Sequence, residues 1–130
     1  MAGKYTLGKT ERLKSRKKIE ALFSSGQRIT SVPFLVYYRV HNDSELSKLQ
    51  AGFNASKKNF KKAVDRNRAK RILREVYRLQ NTALKNKVKT GEKSLDIFII
   101  YTGKDLPVYT EVSVKFEPVL QKLIAIYDKA

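Results

Sequence analysis

The apolar residues that follow Ala63 recur every three or four positions, which is the period of an α-helix. At 100° per residue they occupy one sector about 120° wide, and the basic residues occupy the nearly opposite sector. One face of this helix can therefore pack on a core while the other presents cations to solvent. We predict that the helix ends near Lys85. Its apolar set is Ala69, Ile72, Leu73, Val76 and Leu79, and its polar set is Arg66, Asn67, Lys70, Arg71, Arg74 and Arg78.

Weaker patterns on both sides of this helix predict the other elements. Ser15 is a candidate N-cap for a first helix, and Gly26 suits the left-handed conformation that often ends one. Strict alternation predicts strands, because successive side chains of a strand point to opposite faces. A continuous apolar run predicts a central strand that is buried on at least part of both faces. The predicted elements are a helix from Ser15 to Gly26, strands Phe34–Val40, Leu49–Ala55 and Leu95–Tyr101, and a last helix from Pro118 to about Asp128.

The connecting segments have less regular patterns. Asn86–Ser94 is rich in lysine and glycine, and we predict a loop there. Val108–Phe116 alternates, but both a strand and irregular structure fit its pattern. The segment His41–Ser44 has the composition of a turn. Residues 1–14 are polar and basic, and we expect them to be loosely ordered or to follow an RNA surface.

The order of these elements, α-β-β-α-β-α, is typical of an α/β (α+β) two-layer sandwich. We predict a small mixed sheet with helices packed mainly on one side. A chain of 130 residues can bury roughly two-thirds of its unfolded surface, so residues 1–130 are expected to form one domain. In the first strand, alternation puts Phe34, Val36, Tyr38 and Val40 on one side of the sheet, and Leu35, Tyr37 and Arg39 on the other.

The charge balance points to a polyanionic partner. The sequence has 28 Lys and Arg residues against 12 Asp and Glu residues, a formal net charge of +16. On the basic helix, Arg66, Lys70 and Arg74 are like charges at i,i+4 spacing, and each such repulsion costs about 0.2–0.5 kcal/mol. The alternative is an ordinary solvated face, but such faces usually interleave acids with bases. A nucleic acid that neutralises the cations explains the arrangement better.

Composition excludes several classes of site. The sequence contains no cysteine, which excludes disulfides and thiolate metal sites. The longest apolar run, Ile97–Tyr101, is too short to cross a membrane, and the N-terminal residues lack the apolar stretch of a signal peptide. His41 is the only histidine, and the acids have no motif-grade spacing for metal binding or acid–base catalysis. We therefore expect a soluble cytoplasmic protein with no membrane partner and no catalytic side chain.

One stretch resembles the signature of a known family. It reads Ser56-Lys57-Lys58, then Ala63, then Arg66-Asn67-Arg68-x-Lys70-Arg71-x-x-Arg74-Glu75. This stretch is similar to the RNR motif of the bacterial ribonuclease P protein subunit, whose length and fixed spacing make it specific. The resemblance continues through Phe23-x-x-Gly26, Phe34-Leu-Val-Tyr37 and Gly52. Many members carry a glycine after the paired lysines, whereas this chain reads Asn59-Phe60-Lys61-Lys62, the longer form of that loop.

The resemblance implies a fold with a left-handed βαβ crossover, although general rules disfavour that handedness. It also implies the function of a ribonuclease P protein subunit, which assists endonucleolytic removal of the 5′ leader from precursor tRNA. The expected partners are precursor tRNA and the catalytic RNA subunit, which would hold the Mg²⁺ ions and cut the phosphodiester. We expect no cofactor bound by the protein alone, no metal-binding residue and no protein partner. The RNA-binding residues implied are Lys57, Lys58, Lys62, Arg66, Asn67, Arg68, Lys70, Arg71 and Arg74.

A cleft beside the sheet is a second candidate site. Aromatic residues on an open face can stack on the bases of a single strand, at roughly 1–3 kcal/mol for each base. The alternative for Ile19 and Phe23 is a place in the core, because helix faces more often pack inward. In the family this cleft holds the 5′ leader, and the resemblance favours that assignment. The predicted cleft residues are Ile19, Phe23, Leu35, Tyr37 and Arg39.

The alternative function is that of a structural RNA-binding protein, associated with the ribosome and without a role in cleavage. The spacing of the RNR-type motif favours the ribonuclease P subunit. The two functions differ in whether the purified protein lowers the salt requirement of a ribonuclease P RNA that cleaves precursor tRNA.

Overall fold

The computed structural model describes residues 12–13, 15–42 and 48–130, which form a four-stranded mixed sheet and four helices. The predicted α+β class is confirmed, with one strand and one helix more than the sequence predicts. None of the described helices combines the length and apolarity needed to cross a membrane. In chain order the elements are α1 (Arg16–Ser25), β1 (Gln27–Ser31), β2 (Phe34–His41), β3 (Leu49–Ala55), α2 (Ala63–Gln80), α3 (Thr82–Thr90), β4 (Ser94–Tyr101) and α4 (Tyr109–Lys129).

β4 lies inside the sheet, whose strand order is β1-β2-β4-β3. It pairs antiparallel with β2 and parallel with β3. The parallel pair is joined through α2 and α3, which makes a βαβ unit whose left-handed sense stays a prediction. Sequence reasoning missed β1, an edge strand of five residues that forms a hairpin with β2. Ile29 is the only apolar residue of β1, so no alternation marks it.

The two faces of the sheet are covered unequally, as predicted. α2, α3 and α4 pack on one face and form the main core with Leu95, Ile97 and Ile99 of β4. α1 packs on the opposite face, where its residue Leu22 is buried in a smaller cluster with Phe98. The even-numbered and odd-numbered residues of β4 therefore serve two different layers.

The basic helix ends earlier than its periodicity predicts. Asn81, with ψ of 0°, separates α2 from α3, and the loop predicted over Asn86–Ser94 is instead helical as far as Thr90. The break turns the chain so that Leu84 and Val88 reach the core, where both are buried. The two core residues are flanked by lysines and an asparagine, and this polar composition led to the wrong prediction of a loop.

The segment that fitted both a strand and irregular structure is the start of α4. Pro118 therefore lies inside this helix and not at its first position. Val112 and Phe116 are buried at a spacing of four, which is the helical signal that the apparent alternation obscured. Pro118 is exposed, so the carbonyl of Val114 that loses its usual N–H partner lies on the solvent side and can bond to water.

α1 begins as predicted but ends differently. The Ser15 hydroxyl accepts a hydrogen bond of 3.4 Å from the backbone N–H of Lys18, as expected of an N-cap. Gly26 has a φ of −76°, so the predicted left-handed conformation is wrong. Glycine suits this position for another reason, because a Cβ would come within 2.5 Å of the carbonyl oxygen of Leu22.

Residues 12 and 13 are more ordered than the predicted loose N-terminal segment. Leu13 is buried, and its backbone N–H donates to the carbonyl of Ala51 in β3 at 2.9 Å. This pairing extends the sheet beyond the edge of β3. Residues 1–11 and 14, for which the same prediction was made, lie outside the described residues.

His41 is the last residue of β2 and not part of a turn. Its Nε2 lies 2.9 Å from Oδ2 of Asp96, and both side chains are buried. The turn prediction fails here because β2 stays paired with β4 as far as Ser94. Of the other predicted turn residues, Asn42 follows the strand, whereas residues 43–44 lie outside the described residues. His41 is therefore a buried partner of Asp96 within the fold.

We predict that His41→Ala lowers the free energy of unfolding by about 1–3 kcal/mol, because it removes a polar partner of the buried Asp96 carboxylate. Urea unfolding measures this change, and Asn42→Ala, at an exposed neighbour, should shift stability by less than about 0.5 kcal/mol. Where the variant is folded, the rate of any RNA cleavage step should change by less than about tenfold, or 1.4 kcal/mol. A larger loss of rate would show that His41 is more than a structural residue.

Candidate nucleic-acid interface

The basic stripe of α2 is divided into two surfaces. Tyr77 is buried in the core, whereas Leu79, which the periodicity placed there, is 45% exposed. The buried sector is thus rotated toward Arg66 and Lys70, and these two cations are half-buried. Four other motif residues on α2 are exposed and form what we call the outer basic face. It consists of Asn67, Arg68, Arg71 and Arg74.

The segment between β3 and α2, residues 57–62, is a second cationic surface, and we call it the lysine loop. Phe60 is the exception to its polarity, because this ring is buried and stacks on Tyr101 with the ring centroids 6.1 Å apart. Burial and the nearby carboxylates of Asp105 and Glu111 raise the pKa of the Tyr101 hydroxyl. That hydroxyl donates to the carbonyl of Asp105 at 3.1 Å. The exposed lysines of the loop are Lys57, Lys58, Lys61 and Lys62.

Arg66 contacts the lysine loop directly. Its Nη1 donates to the carbonyl oxygens of Phe60 at 2.7 Å and Lys61 at 2.8 Å. The sequence predicts Arg66 as an RNA-binding residue, and the structure shows that part of its guanidinium is already used within the protein. Arg66 thus joins the start of α2 to the loop before it.

A groove with a volume of about 660 Å³ runs between the start of α2 and the open face of the sheet. We call it the cationic groove. Leu35 and Ile100, which are register partners in β2 and β4, line its apolar side. Lys57, Arg66 and Lys70 line its charged side. The predicted cleft residue Leu35 is therefore brought together with three residues of the RNR-type motif, a proximity that sequence spacing does not reveal.

An aromatic cluster continues the open face beside this groove. Phe23 of α1 meets Tyr37 edge to face, with the ring centroids 4.8 Å apart, and Phe98 at 5.3 Å. Phe23 is 46% exposed, so it is not a core residue, and Tyr37 is half-buried. Ile19 packs at the edge of the smaller cluster that contains Phe98. Sequence reasoning missed Phe98 and Ile100 because they lie in a continuous apolar strand, although the alternation of β4 could have identified them.

Arg39 lies further from the groove than the other predicted cleft residues. It is half-buried and is the register partner of Asp96. Arg39 also lines a separate recess of about 480 Å³, together with Tyr38 and Lys129 near the end of α4. The structure thus places Arg39 at the far end of the open face, two residues beyond Tyr37 along β2.

Glu75, the acid that ends the motif, is paired with Arg78 one turn later on α2. A hydrogen bond from Arg78, assisted by its charge, lowers the pKa of the Glu75 carboxyl, and the same pair raises the pKa of Arg78. Glu75 therefore orients an arginine and leaves the outer basic face cationic. Within the described residues, no group of three His, Asp or Glu side chains is arranged to hold a metal ion.

The family model described as ribonuclease P matches residues 7–127 of this chain. The chain belongs to the ribonuclease P protein family. It is 31% identical over 108 residues to the ribonuclease P protein component of Porphyromonas gingivalis, and the match covers 83% of this chain and 79% of that relative. The RNase P protein of Staphylococcus aureus has a similar fold, with a TM-score of 0.67 at 23% identity over 88% of this chain and 95% of that one. The RNase P protein of Thermotoga maritima gives a TM-score of 0.52 at 26% identity, with coverage of 92% and 97%.

Membership of the ribonuclease P protein family confirms the resemblance on which the sequence predictions depend. With it come RNA binding, tRNA processing, a role in an endoribonuclease complex and partnership with the ribonuclease P RNA.

We predict that Arg66→Ala lowers the free energy of unfolding by about 1–2 kcal/mol, because two hydrogen bonds to the lysine loop are lost. Arg71→Ala is the matched control, since it removes the same charge from an exposed position and should change stability by less than about 0.5 kcal/mol. Both variants remove the same charge, so their difference reports the Arg66 hydrogen bonds together with the packing of its half-buried side chain. Equal stabilities in urea unfolding would mean that the Arg66 contacts contribute nothing.

Proposed function

We propose that this protein docks on the catalytic RNA of ribonuclease P through the outer basic face and the lysine loop. In the same complex, the cationic groove, which shares Lys57 with the lysine loop, and the aromatic cluster bind the 5′ leader of precursor tRNA. The RNA subunit holds the Mg²⁺ ions and cuts the phosphodiester, while the protein neutralises phosphates and positions the leader. The observation that carries this proposal is the division of the motif cations of α2: Arg71 and Arg74 lie on the exposed outer basic face, whereas Arg66 and Lys70 line the partly apolar cationic groove.

The outer basic face is suited to the phosphates of a folded RNA. Arg71 and Arg74 are exposed, and the half-buried Glu75 is already paired with Arg78. Guanidinium groups can bind a phosphate through two parallel hydrogen bonds, which adds geometric specificity to charge attraction. A surface of this kind reads the backbone and shape of RNA without reading individual bases.

The open face of the sheet is suited to a single strand. Unpaired bases stack on aromatic rings, and Tyr37 and Phe23 present rings there. The phosphates of the same strand need cations alongside, and Lys57 and Lys70 line the adjoining groove. A 5′ leader is unpaired, so its bases can stack on the aromatic rings while its phosphates contact the cations of the groove.

We predict that Arg71→Ala weakens binding to the ribonuclease P RNA by about 1–3 kcal/mol if the arginine makes a bidentate phosphate contact. Loss of one phosphate contact should also reduce the slope of log K against log salt by about 0.7–0.9. Filter binding over a salt series measures both quantities. Unchanged affinity and slope, for this variant and for Arg74→Ala, would place the docking surface elsewhere.

We predict that Tyr37→Ala weakens binding of precursor tRNA by roughly 1–2 kcal/mol, because one base stack is lost. Binding of mature tRNA, which has no leader, should barely change, and so should association with the ribonuclease P RNA. Phe23→Ala should show the same pattern but needs a thermal melt beside it, because Phe23 also packs on Phe98. Equal losses with and without the leader would show that Tyr37 only supports the fold.

The proposed function is tested by cleavage of precursor tRNA. The purified protein should lower the salt concentration at which a ribonuclease P RNA cleaves that substrate. The protein freed of all RNA should cleave nothing, because the proposal assigns the chemistry to the RNA. A protein that binds RNA but leaves the salt requirement unchanged would instead have the alternative function, that of a structural RNA-binding protein.

A further inference from the structure

The lysine loop carries four exposed cations but is held to the fold at several points. Its entry is fixed where the backbone N–H of Ser56 donates to the carbonyl of Tyr101 at 3.3 Å. Phe60 then turns inward, and its N–H donates to the carbonyl of Ser56 at 2.9 Å. The exit is fixed by Arg66. The loop is thus held by hydrogen bonds and packing within the protein, with no RNA contact involved.

Asn59 supplies the remaining attachment. Its side-chain amide, Nδ2, donates to the carbonyl oxygens of Thr102 at 3.0 Å and Gly103 at 3.3 Å. These two residues follow the end of β4, and the N–H of Thr102 donates in turn to the carbonyl of Pro33 at 2.8 Å. A Cβ on Gly103 would overlap the Tyr101 hydroxyl, so glycine is needed for this close approach. Asn59 therefore connects the lysine loop to the segment that directly follows β4.

Asn59 lies among the lysines of the loop, so its contacts affect how these cations are held. The residue is half-buried between the exposed Lys58 and the buried Phe60, and the next residue, Lys61, is exposed as well. Four like charges in six residues repel one another, which favours a spread of open conformations in a loop that nothing holds. A loop that must be ordered on binding contributes less net affinity than one already ordered.

We propose that Asn59 is a positioning residue, which with Arg66 keeps the lysine loop in the conformation that receives RNA phosphates. Asn59 does not itself bind RNA; it acts through Lys57, Lys58, Lys61 and Lys62. This inference rests on the proposed function and adds to it an uncharged residue that controls affinity.

The first test needs no RNA. In Asn59→Ala, amide hydrogen exchange of the lysine loop should become faster, above all at Phe60, while the melting temperature of the protein changes little. Asn86→Ala removes an amide of the same size from an exposed position in α3 and should leave exchange in the loop unchanged. Unchanged exchange in Asn59→Ala would overturn the positioning role.

The second test uses the full chain and the ribonuclease P RNA. Asn59→Ala should raise the dissociation constant about three- to tenfold, because the loop must then be ordered on binding. The slope of log K against log salt should stay unchanged, because no cation is removed. Lys58→Ala should instead reduce that slope by about 0.7–0.9. An Asn59→Ala variant that binds as tightly as wild type would overturn the positioning role.

A double-mutant cycle shows whether Asn59 acts through the lysines. All four lysines of the loop are exposed, so replacing them together with alanine removes no core contact. In that background Asn59→Ala should have no further effect on RNA affinity. The same fold-loss in both backgrounds would mean that Asn59 contacts RNA or supports the fold independently, which overturns the inference. If the wild-type protein bound no ribonuclease P RNA, the proposed function itself would fail. If the wild type bound the RNA and Asn59→Ala bound it equally well, only the positioning role would fail, so the two failures are distinguishable.

Discussion

β4 is paired along both of its edges and covered on both of its faces, and the rest of the structure depends on this burial. Its odd-numbered residues lie in the main core beneath three helices, and Phe98 lies beneath α1. The end of the same strand holds the lysine loop through Tyr101 and Thr102. The lysine loop and the aromatic cluster are thus attached to the most buried strand of the fold, where local opening is least favourable.

A net charge of +16 favours RNA binding but also opposes folding, because the cations repel one another in the compact state. The fold reduces this repulsion by placing many of the cations on exposed surfaces. Many of the motif cations lie on the outer basic face or the lysine loop, where water screens them. Arg66 and Lys70 are half-buried instead, and carbonyl oxygens of the loop accept hydrogen bonds from the Arg66 guanidinium. The acids Glu75 and Asp128 are paired with single cations, Arg78 and Lys87, and leave the RNA-facing surfaces basic.

Sequence patterns determined the parts of this protein that depend on local periodicity. The amphipathic helix, the alternation of β2 and the buried run of β4 were all predicted, because burial of one face imposes a period of 3.6 or 2 on the chain. The RNR-type motif identified the family because the motif is long and its spacing is fixed. Alternation also put Leu35 and Tyr37 on the same face of the sheet, whereas the pattern left a core position open for Phe23 and only the family resemblance favoured the cleft.

Only the tertiary structure decided which of these residues meet. The cationic groove joins Leu35 of β2 to Lys70 of α2 because β4 brings the two elements together, and no sequence spacing encodes that contact. The extent of α4 and the break at Asn81 were likewise set by which side chains the core could accept. The roles of Arg66 and Asn59 depend on backbone carbonyl groups, which every residue carries and which sequence patterns cannot distinguish. The sequence by itself therefore determined which surfaces are basic, whereas tertiary packing decided which cations face the groove and which side chains hold the loop.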